Sequence, residues 1–235
     1  MIYNPWKGCH RISEGCKNCY VHGGNFKRGI DTNIIFKTND FYKLIEKDNN
    51  NNYKIKPNTL VYLCFSSDFL IEEADIWRKE VLEMIKIRKD LSFLFLTKRI
   101  NRYSNCIKEK IPNLMVGVSI ENQKNATERL NILKDLDIDV KYIILQPLLE
   151  LVNIEEYLDE SIYEVVVGGE ETKIARPLNF DWVLNIRKQC INKNVSFTFR
   201  QLSSNFIKDN ILYKIPRIEI RKQAKLANID YKRIE

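Results

Sequence analysis

The sequence predicts an α/β protein built on a parallel sheet, and three observations lead there. Compact apolar or β-branched runs recur at 59–65, 91–97, 114–119, 140–145, 163–168 and 195–200. They have the length and composition of strands buried on both faces. Helical patterns fill the gaps. Trp77, Val81 and Ile85 share one face of 72–89, Ala126, Leu130 and Leu133 share one in 122–136, and Trp182, Ile186 and Cys190 repeat the spacing behind Asn179, a residue suited to an N-cap. Finally, strand starts lie roughly 20 to 35 residues apart, the size of a βα unit. Such alternation gives an open doubly wound sheet or a barrel, and both build their sites at the carboxyl ends of the strands.

The remaining elements follow from local chemistry. A short extended piece, Ile2 to Trp6, leads into a cysteine-rich loop, and the segment from Tyr20 to Arg28 reads as helix ended by Gly29. A second short helix is expected over 41–47, stopped by the polar run Asp48-Asn49-Asn50-Asn51-Asn52. No seam divides the 235 residues, so the chain reads as one domain, 1–235, with a front segment at 1–28 and a basic tail at 206–235.

The net charge of +7 is a modest basic excess that points to anionic partners. Much of it lies in the tail, where eight Lys and Arg face four acids. No run of eighteen apolar residues occurs, so no span is expected. The front of the chain reaches Pro5-Trp6 and the cysteine loop without a charged-then-apolar leader. A cytoplasmic protein is expected, in a compartment where clustered cysteines favour metal or redox chemistry over disulfides.

The strand ends form a shortlist of site residues. They carry Ser66-Ser67-Asp68, Thr97-Lys98-Arg99, Ser119-Ile120-Glu121-Asn122, Gln146-Pro147, Gly168-Gly169-Glu170 and Arg200-Gln201. Any one of these, Ser67, Asp68 and Ser119 above all, could serve only as a helix cap. Six polar ends together favour a polar site.

Cys9, Cys16 and Cys19 lie within eleven residues, in the spacing C-x6-C-x2-C. Three readings stay open. Zinc would take the three thiolates with His10 or His22 as a fourth ligand. An iron–sulfur cluster would take the three and leave one iron open. The loop could also hold no metal. Cys64, Cys106 and Cys190 fall on strand or helix faces and read as small core residues.

The pieces Asn4-Pro5-Trp6, Gly8-Cys9, Ser13, Gly15-Cys16-Lys17-Asn18-Cys19-Tyr20, Ser66-Ser67-Asp68-Phe69 and Leu96-Thr97-Lys98-Arg99 recur in a known order. They are followed by Val116-Gly117-Val118-Ser119-Ile120-Glu121-Asn122-Gln123, Pro147-Leu148-Leu149 and Val167-Gly168-Gly169-Glu170, then by Ala175-Arg176-Pro177 and Asp181-Trp182-Val183. Together they resemble a short radical S-adenosylmethionine family first catalogued among phage gene products, from about residue 4 to residue 202. The resemblance implies a partial parallel (β/α) barrel of about six to seven strands. It also implies a 4Fe-4S cluster on Cys9, Cys16 and Cys19, whose open iron chelates S-adenosyl-L-methionine. One-electron reduction then gives methionine and a 5′-deoxyadenosyl radical that takes hydrogen from the substrate.

Two departures reshape the expected contacts. The first gap is longer than the C-x3-C-x2-C of the commonest radical enzymes, and Gly168-Gly169-Glu170 follows a late strand instead of an early one. The methionyl end is therefore assigned to Ser66, Ser67 and Asp68 and the ribose to Ser119 and Glu121, with Lys98 as a point charge for the carboxylate. Arg200-Gln201-Leu202-Ser203 stands where most relatives carry Lys-Gln-Trp-Gly, and 171–174 also differs, so the substrate pocket is expected to be specialised.

Within this compact group the resemblance is greatest to queuine lyase, which cuts the C–N bond of queuine and releases 7-aminomethyl-7-deazaguanine for salvage into tRNA modification. Glu170 would accept from the donor edge of the deazaguanine, and Arg200 or Gln201 would address its carbonyl. Phe199 or Tyr20 would stack on the ring, and Tyr20 also counts among the cofactor-binding residues. Arg176 is either a substrate contact or one half of a salt bridge; His22 is either a proton donor to the leaving amine or a surface residue. Partners would be this small molecule and a flavodoxin or similar reductant, docked on the basic tail. Two alternatives remain: a radical enzyme acting on a base in DNA or RNA, and a zinc-stabilised nucleic-acid-binding module without catalysis.

Overall fold

The six apolar runs become six strands whose ends lie within two residues of where the pattern puts them. The computed structural model describes residues 1–234, and the chain clusters into two compact units. The first comprises Met1–Ile12, Val21–Gly117 and Asp137–Asp139; the second comprises Ser13–Tyr20, Val118–Leu136 and the chain from Val140 onward.

The first unit opens with β1 (Ile2–Tyr3) and β2 (Trp6–Lys7), followed by α1 (Tyr20–Lys27) beyond its first residue. It continues through β3 (Phe36–Lys37), β4 (Leu60–Leu63), α2 (Asp75–Ile87), β5 (Ser92–Thr97) and α3 (Tyr103–Cys106), and on to Gly117 of β6 (Leu114–Ser119). β1 pairs in parallel with β4, and β4 with β5, while β2 and β3 form a small antiparallel pair. Val61, Leu63, Phe93 and Phe95 point into a core closed by Val81 and Ile85 of α2. Phe69 joins them with its ring 4.8 Å from Phe95 and 5.5 Å from Trp6. Each such side chain contributes about 1.5–3 kcal/mol by leaving water. The helix expected over 41–47 is only a 3-10 turn, Lys43–Ile45, because a stretch this short cannot offset the cost of α-helix nucleation.

The second unit takes up the end of β6 and adds α4 (Gln123–Asp135), β7 (Lys141–Leu145), β8 (Ile162–Gly168), β9 (Leu178–Asn179) and α5 (Phe180–Asn192). It finishes with β10 (Ser196–Gln201), β11 (Asn205–Lys208), β12 (Ile211–Lys214) and α6 (Ile220–Ala227). Asn122 caps α4 by accepting from the Asn125 N–H, and Asn179 caps α5 by accepting from the Asp181 N–H. β7, β8 and β10 pair in parallel. The strand order β1-β4-β5-β6-β7-β8-β10 makes one seven-stranded sheet, so the chain is a mixed α/β protein of the parallel kind.

The tail differs from a solvated end. β11 and β12 form an antiparallel hairpin whose turn residues Asp209 and Asn210 have φ of 52° and 61°, the left-handed geometry of tight hairpin turns. α6 buries Ile220 and Ala224, and Tyr231 exchanges both backbone hydrogen bonds with Phe197. Glu235 lies outside the described residues. Among those described, no helix is long and apolar enough to cross a membrane.

Candidate metal and cofactor site

In the first unit the site is built around Cys9. Gly8 adopts φ 94°, and a Cβ there would sit 2.2 Å from the Ile34 carbonyl oxygen, so only glycine fits ahead of the thiol. The Cys9 N–H donates to the Thr32 carbonyl at 2.8 Å. Arg99 approaches from the end of β5: Nη2 donates to the His10 carbonyl at 3.2 Å, and Nη1 lies 4.0 Å from Cys9 Sγ. Arg99 is in turn held by Asp68 at 3.2 Å, both side chains being buried.

Asp68 has no oxygen to spare. Its Oδ1 accepts from the Thr97 hydroxyl and the Leu70 N–H, and its Oδ2 from the Lys98 N–H and Arg99. Ser67 is likewise engaged, its hydroxyl donating to the Gly8 carbonyl. Two groups at the same strand ends are not engaged. The buried Ser66 hydroxyl oxygen has no hydrogen-bond partner, and Lys98 Nζ makes no ion pair, among the described residues. Cys64 begins the turn that carries Ser66 to Asp68, with φ 57°. A left-handed non-glycine residue costs of order 1–3 kcal/mol, and such strain clusters at functional sites.

In the second unit the site is the 3-10 turn Glu14–Cys16 and the step to Cys19, whose N–H donates to the Cys16 carbonyl. Two strand-end acids reach this turn. Glu121, fully buried after β6, accepts from the Gly15 N–H at 3.2 Å and from Arg129 at 2.9 Å. Glu170, buried after β8, accepts from Asn18 Nδ2 at 2.8 Å, from the Arg176 N–H at 2.8 Å and from the Arg176 guanidinium. Burial would raise the Glu170 pKa, but the Arg176 and Asn18 donors outweigh it and hold the group below the usual carboxylate range. Arg176 forms a salt bridge to Glu170, and it also donates to the Glu14 carbonyl at 3.0 Å.

The other expected residues fall in varied settings. Ser119 is buried, and its carbonyl accepts from Arg129. Tyr20 is largely exposed. His22 is not a surface residue. It is the one buried residue of α1, whose Phe26 faces outward, and burial, then Arg11 and His10, lower its pKa. Phe199 is buried with its ring 6.2 Å from Phe180. Arg200 projects outward at a bulge in β10, and Gln201 is buried with its amide donating to the Gly169 carbonyl at 2.8 Å. Arg129 is the partner that sequence reasoning missed. It follows Ala126 by three on the apolar face of α4, and a cation on a buried stripe signals a buried acid.

None of Cys9, Cys16 and Cys19 is in a disulfide, and their thiols are the donor type that an iron–sulfur cluster takes. Among the described residues, no three His, Cys, Asp or Glu side chains form a group that could hold a metal ion. Cys9 belongs to the first unit and Cys16 and Cys19 to the second, so no coordination geometry is drawn from the three.

Comparison with known proteins places the chain at family level. Residues 1–231 match the family described as protein of unknown function (DUF5131). The chain belongs to that family. The match takes in β11, β12 and α6, so the basic hairpin and helix are part of the family's extent. No curated protein and no solved structure matches the chain.

Proposed function

We propose that the protein is a cytoplasmic radical S-adenosyl-L-methionine enzyme of the partial (β/α) barrel type, with a 4Fe-4S cluster on Cys9, Cys16 and Cys19. Its proposed substrate is queuine, cleaved at the C–N bond to release 7-aminomethyl-7-deazaguanine, with flavodoxin or a similar reductant as electron source. The cluster, when bound, would supply the electron that cleaves S-adenosylmethionine; the protein's own residues would bind, orient and exclude water.

One observation carries this reading: Ser66 and Lys98. A buried hydroxyl without a partner costs about 1–3 kcal/mol, and the partly exposed Lys98 has no counter-ion among the described residues. A bound amino acid would satisfy both, its carboxylate facing Lys98. Asp68, Glu121 and Glu170 already spend their oxygens on internal donors, which leaves Ser66, Lys98 and Ser119 to meet the cofactor and Arg200 to meet the substrate.

The test is an anaerobic incubation of iron- and sulfide-reconstituted protein with queuine, dithionite and S-adenosylmethionine, read by mass spectrometry. The reading expects 5′-deoxyadenosine together with 7-aminomethyl-7-deazaguanine. If 5′-deoxyadenosine forms and queuine stays intact, the substrate is wrong; if neither product forms, so is the chemistry.

A base within DNA or RNA is a second reading. It is favoured by the exposed Ile211–Lys214 strand with Lys208, Arg217, Arg221 and Lys222 nearby. It expects polynucleotide binding that weakens steeply with salt, measured by fluorescence anisotropy.

A further inference from the structure

The geometry points to Glu121, Glu170, Asn18 and Arg176 as positioning residues that hold the Cys16–Cys19 turn in shape before any metal arrives. This rests on the reading of those cysteines as ligands, and it reassigns two acids that the sequence suggests for ribose and substrate.

Three of the residues next to Cys16 are gripped from strand ends. Glu14 is held through its carbonyl by Arg176, Gly15 through its N–H by Glu121, and Asn18 through its side-chain amide by Glu170. The Asn18 amide also donates to the Ile174 carbonyl at 3.1 Å, tying the turn to the segment after Glu170. Both acids are buried and are themselves fixed, Glu121 by Arg129 and Glu170 by Arg176. Arg176 is fixed as well, because its carbonyl accepts from the Ser203 hydroxyl at 2.7 Å.

The backbone has been shaped to allow this. A Cβ at Gly169 would lie 2.5 Å from the Ser203 backbone nitrogen, so glycine is required where the chain leading to Glu170 passes Ser203. Short turns of this kind do not persist alone, since a 3-10 turn gains few hydrogen bonds for the freedom it loses. Charge-assisted hydrogen bonds from buried carboxylates are the stronger kind and supply what the turn lacks. Ligands held in place this way bind without first having to be ordered.

The test is amide hydrogen exchange by mass spectrometry on the metal-free protein, following peptides that cover 13–20. Wild type is compared with Asn18→Ala, Arg176→Ala and Arg176→Lys, with thermal melts to confirm folding. Loss of the Asn18 bond to Glu170 should speed exchange in 13–20 about tenfold, and Arg176→Ala, which removes the donor to the Glu14 carbonyl and both side-chain donors to Glu170, at least as much. Exchange in β4 and β5 should not change, and Arg176→Lys should recover part of the protection. Exchange in 13–20 that is unchanged in folded variants, or that rises equally along the whole chain, would overturn the role. Iron content after anaerobic reconstitution separates the two ideas. Wild type that takes up no cluster defeats the proposed function and leaves the exchange result standing.

Discussion

The segment around Cys9 is met by a guanidinium at its thiol, whereas the segment around Cys16 and Cys19 is held through its backbone and the Asn18 amide, by two carboxylates and by Arg176. Next to Cys9 stands a cation, Arg99, anchored by Asp68 and reaching both the thiol and the neighbouring carbonyl. Around Cys16 and Cys19 stand anions, Glu121 and Glu170, which grip an N–H and a side-chain amide and leave the thiols alone. A guanidinium near a thiol favours thiolate character, whereas a carboxylate on a backbone N–H fixes shape. The chain thus divides two tasks that ligand loops need, charge compensation on one side and preorganisation on the other.

The comparison can be sharpened first with the cysteines outside it. Burial pushes the Cys190 thiol up to about 12 and raises Cys64 well above its ordinary value. At pH 8 a thiol with a raised pKa is thiolate for a much smaller fraction of the time, and burial also keeps the reagent away. Pulsed iodoacetamide labelling read by peptide mass spectrometry should therefore modify Cys9 and Cys19 long before Cys64 and Cys190. Comparable rates would show that the loop thiols are as sequestered as the core ones.

Next in size is Asp68→Ala, which takes the buried anion from Arg99 and leaves it only the exposed Glu72 at 3.7 Å. Breaking a buried pair from one side costs about 3–5 kcal/mol. Urea denaturation should show a loss of that order, while exchange in 13–20 of the folded variant stays as in wild type. Glu121→Gln keeps shape and an acceptor for the Gly15 N–H but removes the charge facing Arg129. It should cost about 1–3 kcal/mol in the same urea titration, and a neutral result would mean that the Arg129 pair contributes little.

The smallest effect is on pH. The folded Glu170 pKa is depressed, so its contribution is fully present above the unfolded value, about 4.3, and is lost as pH falls through the folded value. Protection of the 13–20 amides, corrected for intrinsic exchange, should hold from pH 7 to 5 and decline below about 4. Loss already between pH 7 and 5 would implicate another group.

Much of the framework was legible because buried parallel strands write themselves as continuous apolar runs. Val116 to Val118 and Val165 to Val167 can hardly be anything else. The hairpin of β11 and β12 was harder to see. β12 is exposed along its whole length and shows no apolar–polar alternation, although Asp209-Asn210 marked its turn. In the site, residue type was readable and partner was not. Asp68, Glu121 and Glu170 were found as strand-end acids, but whether an acid meets a ligand or an internal cation depends on Arg99, Arg129 and Arg176, which come from distant points in the chain. His22 stands inward while Phe26 of the same helix is exposed, an inversion that residue type does not announce.

The most direct test of the central claim is the metal content and visible spectrum of protein purified without oxygen, for wild type and for Cys16→Ala. The account predicts a brown protein with broad visible absorbance and about four irons per chain, both lost in the variant. A colourless wild type carrying one zinc per chain, or a Cys16→Ala protein that keeps its iron, would contradict it.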